Sequence, residues 1–233
     1  MNRQVNKLLR RWMRHVLVRL AETKENTNDL SFVKLCNRVG MILDSNGEHD
    51  VALEIYRKAM PICHDVLKDH PETAALYHNI GLTWDTKGNC NKAMTMYQNA
   101  IAIKEVVLGK NHPSAALTYN NIGSLLESKG DYTGAMDMYQ KALAIQEAIN
   151  GDHIDTSATI RNIGNLLYST GDYDGAMEGY KTALTIRDRV LGNHPETATI
   201  YNNIGGLLDS NGDYEASHEM YKKILQIQEV VLW

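Results

Sequence analysis

Apolar residues return along this chain at helical spacing and then break at a Gly-Asp turn. In "HPSAALTYNNIGSLLESKGDY" the positions Ala115, Ala116, Tyr119, Ile122, Leu125 and Leu126 follow the i, i+3, i+4, i+7 rule and predict a helix from Pro113 to Ser128. Pro113 suits the first helical turn, where a missing N–H costs nothing. Gly130 can take the left-handed conformation that ends the helix, and Asp131 is placed to cap the next one. That second helix is expected from Tyr132 to Ile149, with Ala135, Met138, Tyr139, Ala142, Leu143, Ile145 and Ile149 as its buried stripe.

The wording then repeats. "YNNIGSLLESKGDYTGAMDMYQKAL" at Tyr119 returns at Tyr201 as "YNNIGGLLDSNGDYEASHEMYKKIL". The turn glycines Gly47, Gly88, Gly130, Gly171 and Gly212 stand 41, 42, 41 and 41 apart, and a second series, Gly40, Gly81, Gly123, Gly164 and Gly205, leads them by seven. Five units follow, at about 29–69, 70–111, 112–152, 153–193 and 194–233, each predicted as two helices. Two amphipathic helices of this size cannot hide both apolar faces alone, whereas stacked units can. Large-x-x-apolar-Gly-x-x-large followed by Ala-x-x-x-aromatic is the tetratricopeptide signature. It reads here as Tyr119, Ile122, Gly123, Leu126, Ala135 and Tyr139, with Ala142 one turn later, and the other units supply Ala52/Tyr56, Ala93/Tyr97, Ala176/Tyr180 and Ala216/Tyr221. Gly123 is expected to let the second helix approach closely, and Tyr139 to fill the gap between neighbouring units.

The period of 41–42 exceeds the usual 34. With its "NN" pair and its "VLGKNHPSAA" and "VLGNHPETAT" connectors, residues 29–233 resemble the tetratricopeptide domain of kinesin light chain and its relatives. The resemblance implies an all-α fold, a right-handed superhelical solenoid of tandem helix-turn-helix repeats whose first helices line a concave groove. It places that groove at three rows: Asn37, His78, Asn120, Arg161 and Asn202; then Met41, Leu82, Ser124, Asn165 and Gly206; then Asp44, Asp85, Glu127, Tyr168 and Asp209. An amide offers donors and an acceptor, so a ladder of amides suits the backbone of an extended peptide. Arg161 suits a carboxylate. The second asparagine (Asn79, Asn121, Asn162, Asn203) is expected to bond between helices. The implied function is a non-catalytic adaptor or scaffold that binds a protein or peptide ligand.

Charge sharpens this picture. Residues 1–24 carry seven Lys/Arg against one acid, Glu22, while the chain as a whole has a net charge of -4. The acidic body repels a polyphosphate backbone, so no nucleic acid is expected. Residues 3–22, "RQVNKLLRRWMRHVLVRLAE", place Leu8, Leu9, Trp12, Met13, Val16, Leu17 and Leu20 on one helical face. A capping helix within residues 1–28 is expected, with a membrane-surface helix or a presequence as alternatives. Three cysteines without metal-ligand spacing suggest a cytoplasmic protein, and no apolar run predicts a membrane span.

No nucleophile elbow, P-loop or dinucleotide fingerprint occurs, so neither an enzyme nor a cofactor is expected. "HEMYK" has Lys222 where a second zinc-binding histidine would stand. His70, His112, His153 and His194 recur one per unit and are expected as connector and cap residues, and the "GDY" aspartates as helix caps. Ile224 replaces the small residue of the other units, leaving a C-terminal edge at Trp233 through which the array could self-associate, or continue in a longer protein.

Overall fold

The computed structural model describes residues 29–150, 153–191 and 194–231. The expected capping helix within 1–28 and the edge at Trp233 lie outside these residues. The chain divides into two compact units, residues 1–110 and 111–233. The first holds α1 (Asp29–Ser45), α2 (His49–Ile62), α3 (Pro71–Thr86) and α4 (Cys90–Val107). The second holds α5 (Pro113–Ser128), α6 (Tyr132–Asn150), α7 (Ile154–Thr170), α8 (Tyr173–Leu191), α9 (Pro195–Ser210) and α10 (Tyr214–Val231). No strand occurs among the described residues, and the fold is all-α, tandem helix-turn-helix.

The turns form as the residues require. Gly130 takes φ of +80°, and Asp131 Oδ1 accepts from the Gly134 N–H at 3.0 Å. Asp172 caps Gly175 at 3.0 Å and Asp213 caps Ala216 at 3.1 Å in the same way. Each connector histidine caps the helix after it through Nδ1: His70 accepts from Glu72 N–H (3.0 Å), His112 from Ser114 (3.2 Å), His153 from Asp155 (3.2 Å) and His194 from Glu196 (3.3 Å). Four orphan N–H groups at four helix starts are thereby satisfied.

The repeated glycine and tyrosine lock each helix pair. A Cβ on Gly123 would sit 2.6 Å from Tyr139 Cε1, and Gly81, Gly164 and Gly205 face Tyr97, Tyr180 and Tyr221 in the same manner. Tyr139 thus covers the glycine of its own pair and, as the sequence suggested, also packs against the neighbouring pair, in one cluster with Leu166 and Ile163. The small position of the last pair is held by Ser217, 1% exposed, with Ala216 only half-buried. Ser217 stands four residues before Tyr221, the spacing of Ala135 to Tyr139, whereas Ala216 stands five before it. Ile149 also departs from expectation at 43% exposed, and Leu126, Met138 and Leu143 are half-buried.

One segment has no counterpart in the other repeats. Pro61 lies inside α2 and cannot donate to the preceding turn, and the chain continues as a π-helical turn, Cys63–Leu67. Lys68 ends it at φ of 42°.

Candidate functional site

The first row of expected groove residues proves to be partly a set of bridges between successive repeats. Asn37 is buried; its amide donates to Glu72 Oε1 (3.1 Å) and its oxygen accepts from Asn79 Nδ2 (2.6 Å). Asn37 therefore has both ends of its amide engaged inside the first unit. Asn120 is half-buried and accepts from Asn162 Nδ2 at 3.2 Å. The second asparagines thus bond between helices, as expected, at Asn79, Asn162 and Asn203.

Arg161 breaks this ladder, because a guanidinium has no acceptor. Asn203 would meet it in register, and donates instead to Asn165 Oδ1 one turn further on, at 2.7 Å. Arg161 Nη2 donates to Asn162 Oδ1 (3.1 Å), while its Nε is buried with no acceptor. Burial, and then Arg187 beside it, lower the Arg161 pKa. Arg187 is itself 5% exposed; its Nη1 donates to the Glu196 carbonyl (3.0 Å) and lies 3.3 Å from Glu196 Oε2. In the first unit His78 packs on Tyr97, ring centroids 5.6 Å apart, and burial, then Lys104, hold its pKa down to about 3.

The third row serves the repeat tyrosines. Tyr139 donates to Glu127 Oε2 at 2.8 Å and Tyr221 to Asp209 Oδ2 at 3.0 Å. Burial pushes the Tyr139 hydroxyl up, and the Glu127 bond adds to it. Asp44 pairs with His49 Nδ1 at 2.6 Å, and burial raises the pKa of Asp85. In the fourth repeat Tyr168 replaces the acid, so Tyr180 turns to Asn165 Oδ1 at 2.9 Å. The Tyr168 hydroxyl meets Ser210 Oγ at 2.6 Å.

These substitutions in α7 shape a cavity. Asn165, Tyr168, Ser169 and Tyr180 face Asn202, Asn203, Gly206 and Leu207 across a hollow of about 320 Å³ between α7 and α9. Asn165 uses its oxygen twice, for Tyr180 and Asn203. Asn202 is exposed at the cavity and Ser124 is exposed on α5. The structure therefore gathers Asn165, Tyr168, Asn202 and Gly206 from the expected rows and adds Ser169, Tyr180, Asn203 and Leu207. A fixed signal marked the tyrosine partners: the acid stands twelve residues before the tyrosine in every unit but the fourth, where Tyr168 stands instead.

Among the described residues, no group of three or more His, Cys, Asp or Glu side chains could hold a metal ion, and no helix is long and apolar enough to cross a membrane. The thiols of Cys36, Cys63 and Cys90 are free.

The tetratricopeptide repeat family model matches residues 32–105, 86–148 and 155–229. No curated protein matches the chain. Among solved structures, BtubC (BKLC) from P. vanneervenii is similar at a TM-score of 0.75 and 20% identity, over 97% of this chain and 87% of that one. A Podosopora anserina protein of the kinesin light chain type, with nearly identical repeats, is similar at 0.69 and 18%, over 85% of this chain and 96% of that one. A Rap protein, solved in complex with competence and sporulation factor, is similar at 0.73 and 19%, over 89% of this chain and 57% of that one. Repeats of this kind generally mediate protein–protein interaction and are typically non-enzymatic scaffolds. With most of its length matched by the family model and five helix pairs in register, the chain belongs to the tetratricopeptide repeat family, and its fold is of the kinesin light chain-like type.

Proposed function

We propose that this chain is a non-catalytic adaptor that holds an extended peptide segment of a protein partner against the α7–α9 face. The cavity between Asn165, Tyr168 and Asn202 carries this reading. Its amides and hydroxyls can pair with a peptide backbone, and the half-buried Tyr168 ring supplies apolar contact. At about 320 Å³ it takes one or two side chains, with the rest of the peptide running along the helices. The Rap protein, solved with a bound factor, supports the use of this fold for ligand binding. The free thiols support a cytoplasmic setting.

Gly206 gives the test, because a Cβ there meets nothing within 4 Å and a longer side chain enters the cavity without disturbing the fold. Random twelve-residue peptides are selected on the native chain, and their affinities are measured by fluorescence anisotropy for the native chain and for a Gly206→Arg, Asn202→Ala variant of confirmed helicity. The expected loss is tenfold or more, about 1.4 kcal/mol. Unchanged affinities would remove the site from this face.

A further inference from the structure

The third repeat lacks a cation that the repeats on either side carry. Near the end of the second helix of each pair, one register reads Lys104, Gln146 and Arg187 in the second, third and fourth repeats. In the fourth, the buried Arg187 guanidinium donates to the Glu196 carbonyl and lies 3.3 Å from Glu196 Oε2. Asp155 stands one repeat before Glu196, as Gln146 stands one repeat before Arg187. Glutamine has no charge and is shorter than arginine by the guanidinium carbon and its outer nitrogens. A hollow of about 240 Å³ lies at this place, lined by Pro113 and Leu117 of α5, Gln146 and Ile149 of α6, and Asp155 and Thr156 of α7. Two polar atoms of these residues lack partners: Gln146 is 9% and Thr156 1% exposed, and Gln146 Oε1 and Thr156 Oγ1 make no hydrogen bond. A buried acceptor without a donor is costly. His153 also borders the hollow, but its Nδ1 accepts from the Asp155 N–H and so brings no proton to that carboxylate, 3.5 Å away. Leu117 and Ile149, both 43% exposed, form an open apolar rim.

We infer that this hollow takes the arginine side chain of a protein partner, with its methylenes on Pro113, Leu117 and Ile149 and its guanidinium toward Gln146 and the Asp155 carboxylate. The ligand supplies from outside the group that Arg187 supplies from within one repeat later. A guanidinium has donors and no acceptor, which suits a lining that offers an unfilled amide oxygen, a hydroxyl and a carboxylate. The Gln146 amide need only turn about its last side-chain bond to present its oxygen. An anionic side chain would meet Asp155 as a like charge, and an aliphatic one would leave the acceptors unfilled. The planar fork can hold amide oxygen and carboxylate together, whereas a lysine ammonium is a compact point charge. The arginine stem is apolar and suits the rim, while the head stays with the acid. No residue of this lining belongs to the α7–α9 cavity, so the site stands apart from the one proposed above.

The test is an NMR titration of the full chain with N-acetyl-arginine N-methylamide, which stands for an arginine within a peptide. The Ile149 methyl and the Gln146 side-chain amide are expected to shift together and to saturate. The citrulline analogue has the same shape without the charge, and should bind about tenfold more weakly. Asp155→Asn should cost the arginine probe about tenfold as well. Gln146→Arg, which fills the hollow from within, should abolish the shifts at Ile149 in a chain of confirmed helicity. The Gly206→Arg, Asn202→Ala variant should leave them unchanged, so that failure here and failure of the α7–α9 face are read separately. An absence of saturable shifts would overturn the inference, as would equal binding of the citrulline probe or full binding by Asp155→Asn. Tighter binding of free arginine than of the capped residue would make this a small-molecule site and overturn the assignment to a protein partner.

Discussion

Two repeats bury a cation at one register in different ways. Lys104 near the end of α4 and Arg187 near the end of α8 occupy the same position, and each lies twenty-six residues after a first-row cationic or titratable partner, His78 or Arg161. Lys104 is 6% exposed, and burial holds its pKa down to about 8. Arg187 is 5% exposed and tied to Glu196 through both a carbonyl and a carboxylate. A guanidinium presents five donors in a fixed fork and stays charged, whereas an ammonium is a compact point charge that titrates when desolvated. The same position therefore holds a pH-sensitive cation in the first unit and, in the second, a fork of donors tied to Glu196.

The largest effect should come from acid. His78 has a folded pKa near 3 against an ordinary 6.5, so below 6.5 the unfolded chain binds a proton that the folded chain refuses. Stability is expected to fall as pH drops from 6.5 toward 3, by on the order of 3 kcal/mol at pH 4. His78→Phe keeps a ring on Tyr97 and should flatten that slope in urea melts at pH 7 and pH 4; parallel slopes would deny His78 this role.

Next in size is Lys104→Met. Between pH 8 and 10.5 the unfolded chain carries the lysine proton and the folded chain does not, so native stability rises with pH across that window. The substitution should raise stability at pH 7 by about 2 kcal/mol and abolish the alkaline rise. A variant that is less stable at pH 7 and keeps the rise would show that the ammonium is not the desolvated group.

The smallest and sharpest test is Arg187→Lys, which gives the fourth repeat the cation of the second. An ammonium cannot hold the Glu196 carbonyl and carboxylate with the guanidinium's fork, so a loss of about 1 kcal/mol at pH 7 is expected. A new alkaline rise in stability should accompany it. Its absence would mean that Glu196 alone, and not the chemistry of the cation, separates the two repeats.

Much of this architecture was legible in the residues. The helix from Pro113 to Ser128 begins at a proline and ends before a turn glycine, and its boundaries follow from those two residues. The π-helical turn after Pro61 was not legible, because proline announces a lost hydrogen bond without saying how the chain absorbs it. Ser217 escaped because an adjacent alanine looked like the better small residue, although the spacing to Tyr221 decides the matter. The groove rows were placed by analogy, and analogy does not reveal that Glu127 and Asp209 are engaged with tyrosines or that Asn37 is engaged with Glu72 and Asn79. On α7 the partner is set by what the neighbouring positions lack: with Arg161 in place of the amide and Tyr168 in place of the acid, Asn203 and Tyr180 both turn to Asn165.

The glycine–tyrosine contact has a consequence at the level of the gene. Because Tyr139 closes on Gly123 inside its own pair, the coding segment for one pair carries its own lock and borrows none from its neighbours. An in-frame duplication of that segment then delivers a working lock on arrival, and a later substitution such as Arg161 or Tyr168 can change the surface of one copy while the other copies keep the fold.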